Sequence, residues 1–226
     1  MMKASRAMKR IPSILLLVCG SVLAQTPFDS LYLKSAAYKT QTEMYALSKL
    51  TSADIVFLGN SITFGGNWIE LLGRERIVNR GIVGDNTVGM LHRLQYVYQL
   101  KPKLCFIMTG INDLYADASV ETIFRNYVMV IDTLRKHQII PVIQSTLYVN
   151  PKWKRTEEKN PQVTALNVLL NDYAVKNGIE FVDVNSVLSA NGVLRNEYTT
   201  DGVHLNPAAY AVWREQLFPI LKNHGL

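Results

Sequence analysis

A chain of 226 residues is long enough for one domain with a sizeable buried core, and its 48% apolar and 19% charged residues exclude a disordered polymer. The formal charge of +6 is no argument for nucleic-acid binding. Lys3, Arg6, Lys9 and Arg10 crowd the amino terminus, and no basic stripe with interleaved aromatics follows.

Those four cations form the basic head of a leader. The apolar run Ile14–Ala24, "ILLLVCGSVLA", is short for a bilayer span, and Val22-Leu23-Ala24 offers compact residues for cleavage. Residues 1–24 therefore read as a secretory signal peptide, followed by a single domain over residues 25–226 and delivery to the periplasm or the exterior. Its removal takes away four positive charges and no acid, so +6 falls by four to +2. An alternative is a lipoprotein anchored at Cys19, because "LLVC" before Gly20 loosely resembles a lipobox, although Val18 stands where Gly, Ala or Ser is wanted. Cys105, within "LCFIM", is then the only remaining thiol and reads as a core residue.

Residues 28–50 carry a loose helical pattern with Leu31, Leu33, Tyr38, Tyr45, Leu47 and Leu50 as apolar anchors. A regular alternation then begins. Short apolar runs at 55–58, 77–78, 104–108, 139–143 and 180–184 predict strands, and helical spacing predicts helices over 67–73, 87–100, 119–137 and 162–177. A last helix is expected over 207–223, with Asn206 before it and Pro207 in its first turn. Strands that alternate with helices imply βαβ units. The expected fold is α/β, a flavodoxin-like three-layer α/β/α sandwich around a five-stranded parallel sheet.

In such sheets ligands bind beyond the carboxyl ends of the strands. The residues that follow the runs are Gly59-Asn60-Ser61, then "NRGIVGDNT" with Gly84, then "TGINDL" with Asn112, and finally "DGVHLNP" with Asp201 and His204. Ser61 alone is as well explained as an ordinary turn residue. The joint placement suits acyl transfer better. A serine hydroxyl needs a base, and a histidine base needs a carboxylate to orient it. Asp201 and His204 are three residues apart, which lets one turn join them. The developing oxyanion needs donors, for which the Ser61 and Gly84 backbone N–H groups and the Asn112 side chain are candidates.

These four blocks, in this order and over nearly the whole chain from Asp54, resemble the SGNH hydrolases of the GDSL esterase/lipase superfamily. "NRGIVGDNT" and "GIND" are similar to the branch of bacterial acylhydrolases and platelet-activating-factor acetylhydrolase subunits. The resemblance implies a nucleophile at Ser61, a triad with His204 and Asp201, and an oxyanion hole of Ser61, Gly84 and Asn112. It implies no cofactor and no metal. The family's Gly-Asp-Ser is Gly-Asn-Ser here, so Asn60 keeps the hydrogen bonding of an Asp without its charge.

Other residues read more plainly. Asp85 and Asp113 brace loops, with Asp113 the runner-up as partner of His204. His92, His137 and His224 are structural or solvated. No phosphate-binding loop and no G-x-S-x-G elbow is present. The segment Tyr148–Gln162 should overhang the site as a loop, with Trp153 among basic residues as a contact for substrate or merely a solvated aromatic. Trp68 either lines the pocket or packs a short helix.

The expectation is a secreted serine esterase that removes short acyl groups, acetyl by analogy with the family, from a small-molecule or glycan ester. It has neither a nucleic-acid partner nor a stable membrane span. A lysophospholipase or thioesterase on the same site, or a non-catalytic carbohydrate-binding protein of the same fold, are the alternatives.

Overall fold

The computed structural model describes residues 27–226, so the expected signal peptide and Cys19 lie outside the described residues. A 3₁₀ helix over Pro27–Lys34 leads into α1 (Ala36–Ala46), β1 (Ile55–Gly59), α2 (Ser61–Phe64), α3 (Trp68–Leu72) and β2 (Ile77–Gly81). Then come α4 (Thr87–Leu91), α5 (Gln95–Tyr98), β3 (Leu104–Met108), α6 (Ile111–Tyr115), α7 (Val120–Lys136) and β4 (Ile140–Gln144). The chain ends with α8 (Thr156–Asn177), β5 (Glu180–Val182), α9 (Asn185–Leu188), a small hairpin of β6 (Ser189–Ala190) and β7 (Val193–Leu194), a 3₁₀ turn over Asn196–Tyr198, α10 (Pro207–Glu215) and α11 (Phe218–Asn223).

Five parallel strands form one sheet in the order β2-β1-β3-β4-β5. Strands β1 and β3 are buried at every position, as unbroken apolar runs between two helical layers must be. Aromatic stacking on one face of the sheet contributes to the core: Phe57 lies flat on Trp68 at 4.0 Å and on Phe106 at 4.9 Å, centroid to centroid. On the other face α7 buries Ile123, Tyr127, Val130, Ile131 and Leu134, spaced at three and four. The Tyr127 hydroxyl donates to the Ile107 carbonyl at 2.7 Å. Cys105 is fully buried in β3, where loss of solvent pushes its thiol up and keeps it inert.

Several element boundaries differ from expectation. Leu31, Leu33, Leu47 and Leu50 are exposed; the amino-terminal segment is anchored instead by Tyr38 and Tyr45, whose hydroxyls donate to the Gly89 and Gly81 carbonyls at 2.9 and 3.0 Å. The expected helix over 87–100 breaks between α4 and α5, and that over 207–223 breaks before Pro219. Helix α8 starts six residues early and runs through Pro161, because Asn160 turns its amide to the Val149 and Gly192 carbonyls and holds this stretch against the preceding loop.

The strand order reverses between β1 and β3, where Gly59 lies in register with Gly81 and Met108. That switch point opens a crevice at the carboxyl ends of the strands.

Candidate active site

Ser61 sits directly beyond β1. Gly59 permits the tight exit, since a Cβ there would fall 1.9 Å from Thr63 Oγ1. Asn60 is buried, and its Oδ1 accepts the Ile62 N–H at 2.9 Å, which caps α2 and makes Ser61 the first residue of that one-turn helix. The bond needs only a carbonyl oxygen, so the uncharged amide does here what an Asp would do. Tyr210 of α10 fixes the turn from the far side through its hydroxyl, which donates to Ile62 O at 2.7 Å.

Asp201 and His204 arrive on the segment before α10. Asn206 caps that helix through the Ala209 N–H, and Trp213 anchors it by donating Nε1–H to Gln144 Oε1 at 2.8 Å. The Asp201 Oδ2–His204 Nδ1 separation is 2.6 Å, and Asp201 Oδ1 accepts the backbone N–H groups of Val203 and His204 at 2.9 and 2.8 Å. A carboxylate at Nδ1 holds the ring proton there and leaves Nε2 as an acceptor. Nε2 lies 2.9 Å from Ser61 Oγ. Partial burial opposes ionisation of Asp201, but the His204 ring and the two backbone donors outweigh it and hold the carboxyl at about 2. Thr199 completes the turn: its hydroxyl donates to the His204 carbonyl at 2.7 Å and accepts the Gly202 N–H at 2.9 Å.

The second and third blocks face Ser61 across the crevice. Gly84 has φ +74, and a Cβ there would meet no protein atom within 4 Å, so its backbone borders open space. Asn112, in α6, donates one N–H of its amide to the Asp85 carbonyl at 2.8 Å, which leaves the second for a ligand. Asp113 does not approach His204. It is buried, and its Oδ1 accepts both the backbone N–H of Thr87, at 2.9 Å, and the Thr87 hydroxyl. Asp85 pairs with the buried Arg93. Both acids thus brace loops.

Ser61, Gly84, Asn112 and His204 line one groove of about 380 Å³, walled by Val83, Ile111, Tyr115 and Trp153. Trp153 reaches it because Gly202, at φ +100, lets the 148–155 loop close against the His204 segment: a Cβ on Gly202 would stand 2.7 Å from Trp153 N. Lys154 and Arg155 also border the groove, with Arg155 engaged to Asp117 and Glu158 at 2.5 and 2.7 Å. Trp68 is a correction. It is only 1% exposed, its indole N–H donates to Thr63 O at 3.0 Å, and the stack on Phe57 places it in the core away from the groove. The expected overhanging loop is likewise shorter, because residues from Thr156 onward are helix.

Sequence reasoning missed Arg93, Thr199 and Tyr115. Arg93 left a signal: it falls at helical spacing from Met90 and Val97, so a cation interrupts a buried apolar face. Among the described residues no three His, Cys, Asp or Glu side chains converge as a metal centre requires, and no helix is long and apolar enough to cross a membrane.

Comparison with known proteins agrees with this arrangement of the fold. The model of the GDSL-like lipase/acylhydrolase family matches residues 57–212. A GDSL-like lipase of Bacteroides thetaiotaomicron superposes with a TM-score of 0.73 at 23% identity, over 83% of this chain and 98% of that one. A Streptococcus pneumonia protein, provisionally described as a platelet activating factor, gives 0.74 at 27% identity over 84% and 94%. An N-acylneuraminate cytidylyltransferase of Streptococcus agalactiae serotype III is 27% identical over 167 residues, 73% of this chain, and the chain spans only 38% of that relative's length.

Proposed function

The chain belongs to the GDSL-like lipase/acylhydrolase family, a family of ester-hydrolysing enzymes, and we propose that within it this protein is a secreted serine esterase removing short acyl groups, acetyl above all. The observation that carries the mechanism is the unbroken chain Ser61 Oγ, His204 Nε2, His204 Nδ1, Asp201 Oδ2, with links of 2.9 and 2.6 Å at the edge of a groove.

Ser61 Oγ attacks the ester carbonyl carbon as its proton passes to His204 Nε2. The oxyanion is held by the Ser61 and Gly84 backbone N–H groups and by the Asn112 amide. The tetrahedral intermediate collapses, the C–O bond to the alcohol breaks, and His204 returns the proton to the leaving oxygen. Water repeats the sequence on the acyl-enzyme, with His204 again as base, and frees the acid. Asp201 stays ionised and orients the ring throughout.

Two features support a short acyl group. The groove is about 380 Å³ and must hold both acyl and alcohol parts, and Val83 and Ile111 give part of its wall an apolar lining. Trp153 offers an apolar face at the rim, which favours a sugar as the alcohol. The leader pattern in residues 1–24 supports periplasmic or extracellular action. The test is hydrolysis of nitrophenyl esters from acetyl to decanoyl by residues 25–226, with Ser61→Ala alongside. Acetyl preference lost in Ser61→Ala is the expected result. A preference for long chains would point to a lysophospholipase instead, and full activity in Ser61→Ala would overturn the mechanism.

A further inference from the structure

We propose that Arg93 is a positioning residue for this reaction: one guanidinium sets the spacing between the nucleophile strand and the oxyanion loop. The proposal rests on Ser61 being the nucleophile.

Arg93 and Asp85 are both wholly buried, and Nε–H donates to Asp85 Oδ2 at 2.7 Å. Burying such a pair costs about as much as it returns, and an apolar pair of the same shape would hold the core as well. What an apolar pair cannot do is bind three fixed points. Nη2–H of Arg93 donates to the Gly59 carbonyl at 2.9 Å, and Nη1–H donates to the Arg80 carbonyl at 2.7 Å. Gly59 lies two residues before Ser61. Arg80 is the penultimate residue of β2, just before the loop that carries Gly84.

Asp85 continues the chain of contacts. It follows Gly84 directly, its Oδ1 accepts the Asn86 N–H at 3.0 Å, and its own carbonyl receives the Asn112 amide at 2.8 Å. All three oxyanion donors therefore refer back to one planar fork. The site also leaves no room for adjustment, since a Cβ on Gly89 would fall 2.0 Å from Asp85 Oδ1. Lysine presents a single point charge and cannot reproduce the fork. A displacement of a fraction of an ångström between nucleophile and donors weakens the transition state while leaving ground-state binding at the rim intact.

The test compares wild type, Arg93→Lys and the uncharged pair Asp85→Asn/Arg93→Gln, which avoids stranding one buried charge. A fluorophosphonate counts the labelled sites. Turnover of a nitrophenyl acetate is then expressed per labelled site. The expected result is a fall in kcat of about 10- to 100-fold with KM within twofold, in whichever variant folds. A merely structural Arg93 would lower the melting temperature and the number of labelled sites but leave kcat per site at the wild-type value, and that result overturns the proposal. Ser61→Ala runs in parallel: retained turnover there defeats the serine mechanism, a different outcome from wild-type kcat per site in the Arg93 variants.

Discussion

Asp201 grips His204 twice, once at the ring Nδ1 through Oδ2 at 2.6 Å and once at the backbone N–H through Oδ1 at 2.8 Å. The same carboxylate that orients the imidazole also fixes the turn that delivers it. Asp201→Asn keeps an oxygen for the backbone donors but offers the ring an amide, so the fold survives and the tautomer is lost. A fall in kcat/KM of about 10²- to 10⁴-fold with little change in melting temperature is expected.

The pH profile follows from the same contact. The folded carboxyl sits at about 2, below its unfolded value near 3.9, so the stabilisation it brings is complete above the unfolded value and is lost as pH falls toward 2. Asp201 is therefore ionised wherever the enzyme works. Asp201 should add no step of its own to the acid limb of kcat/KM above about pH 4. A step there that vanishes in Asp201→Asn would contradict this.

Asn112 divides its amide between the Asp85 carbonyl and the groove. Asn112→Ala removes one of the proposed oxyanion donors and should lower kcat by about 10²- to 10³-fold while KM barely moves. Steady-state kinetics on an acetyl ester distinguish this from a binding role, which would raise KM instead.

The two tryptophans should separate cleanly. Trp68, stacked on Phe57 and edge-on to Trp213, fills the core, so Trp68→Ala is expected to cost about 3–5 kcal/mol in denaturant unfolding. Trp153→Ala should leave the unfolding midpoint near wild type and raise KM for glycan esters. A reversal of these effects would contradict their placement.

Asp113 supplies a second pH test. Its Oδ2 is buried without a partner, and burial raises the carboxyl to about 6 against the pull of Thr87. The folded value lies above the unfolded one, so the protonated form favours folding, and stability from this group declines as pH rises from about 4 to 6. Asp113→Asn should erase that decline. Urea midpoints at pH 4.5 and 7.5 measure it: the variant gains on the wild type at the higher pH.

Much of the layout was legible because strand and helix periods differ and because turn residues follow every strand. Ile55–Leu58 and Leu104–Met108 announced themselves as strands buried on both faces. Ser61, Gly84, Asn112, Asp201 and His204 could be collected because parallel strands deliver their carboxyl ends to one edge, and all five border or serve one crevice. What escaped was decided by tertiary contacts. Asn160-Pro161 has the chemistry of a turn, yet Asn160 is engaged with neighbouring carbonyls and the helix runs through it. Trp68 carried no sign of which way its ring would fall until Phe57 was known to lie beneath it. Arg93 went unread, although its spacing from Met90 and Val97 puts a cation on a buried face.

On the proposed mechanism Ser61 Oγ carries the acyl group. Intact-mass analysis after treatment with a fluorophosphonate tests it most directly, with peptide mapping to locate the adduct. One adduct per chain is expected, on Ser61, formed in step with loss of esterase activity and absent from Ser61→Ala. An adduct on another residue, or full turnover by a chain whose Ser61 is blocked, would contradict it.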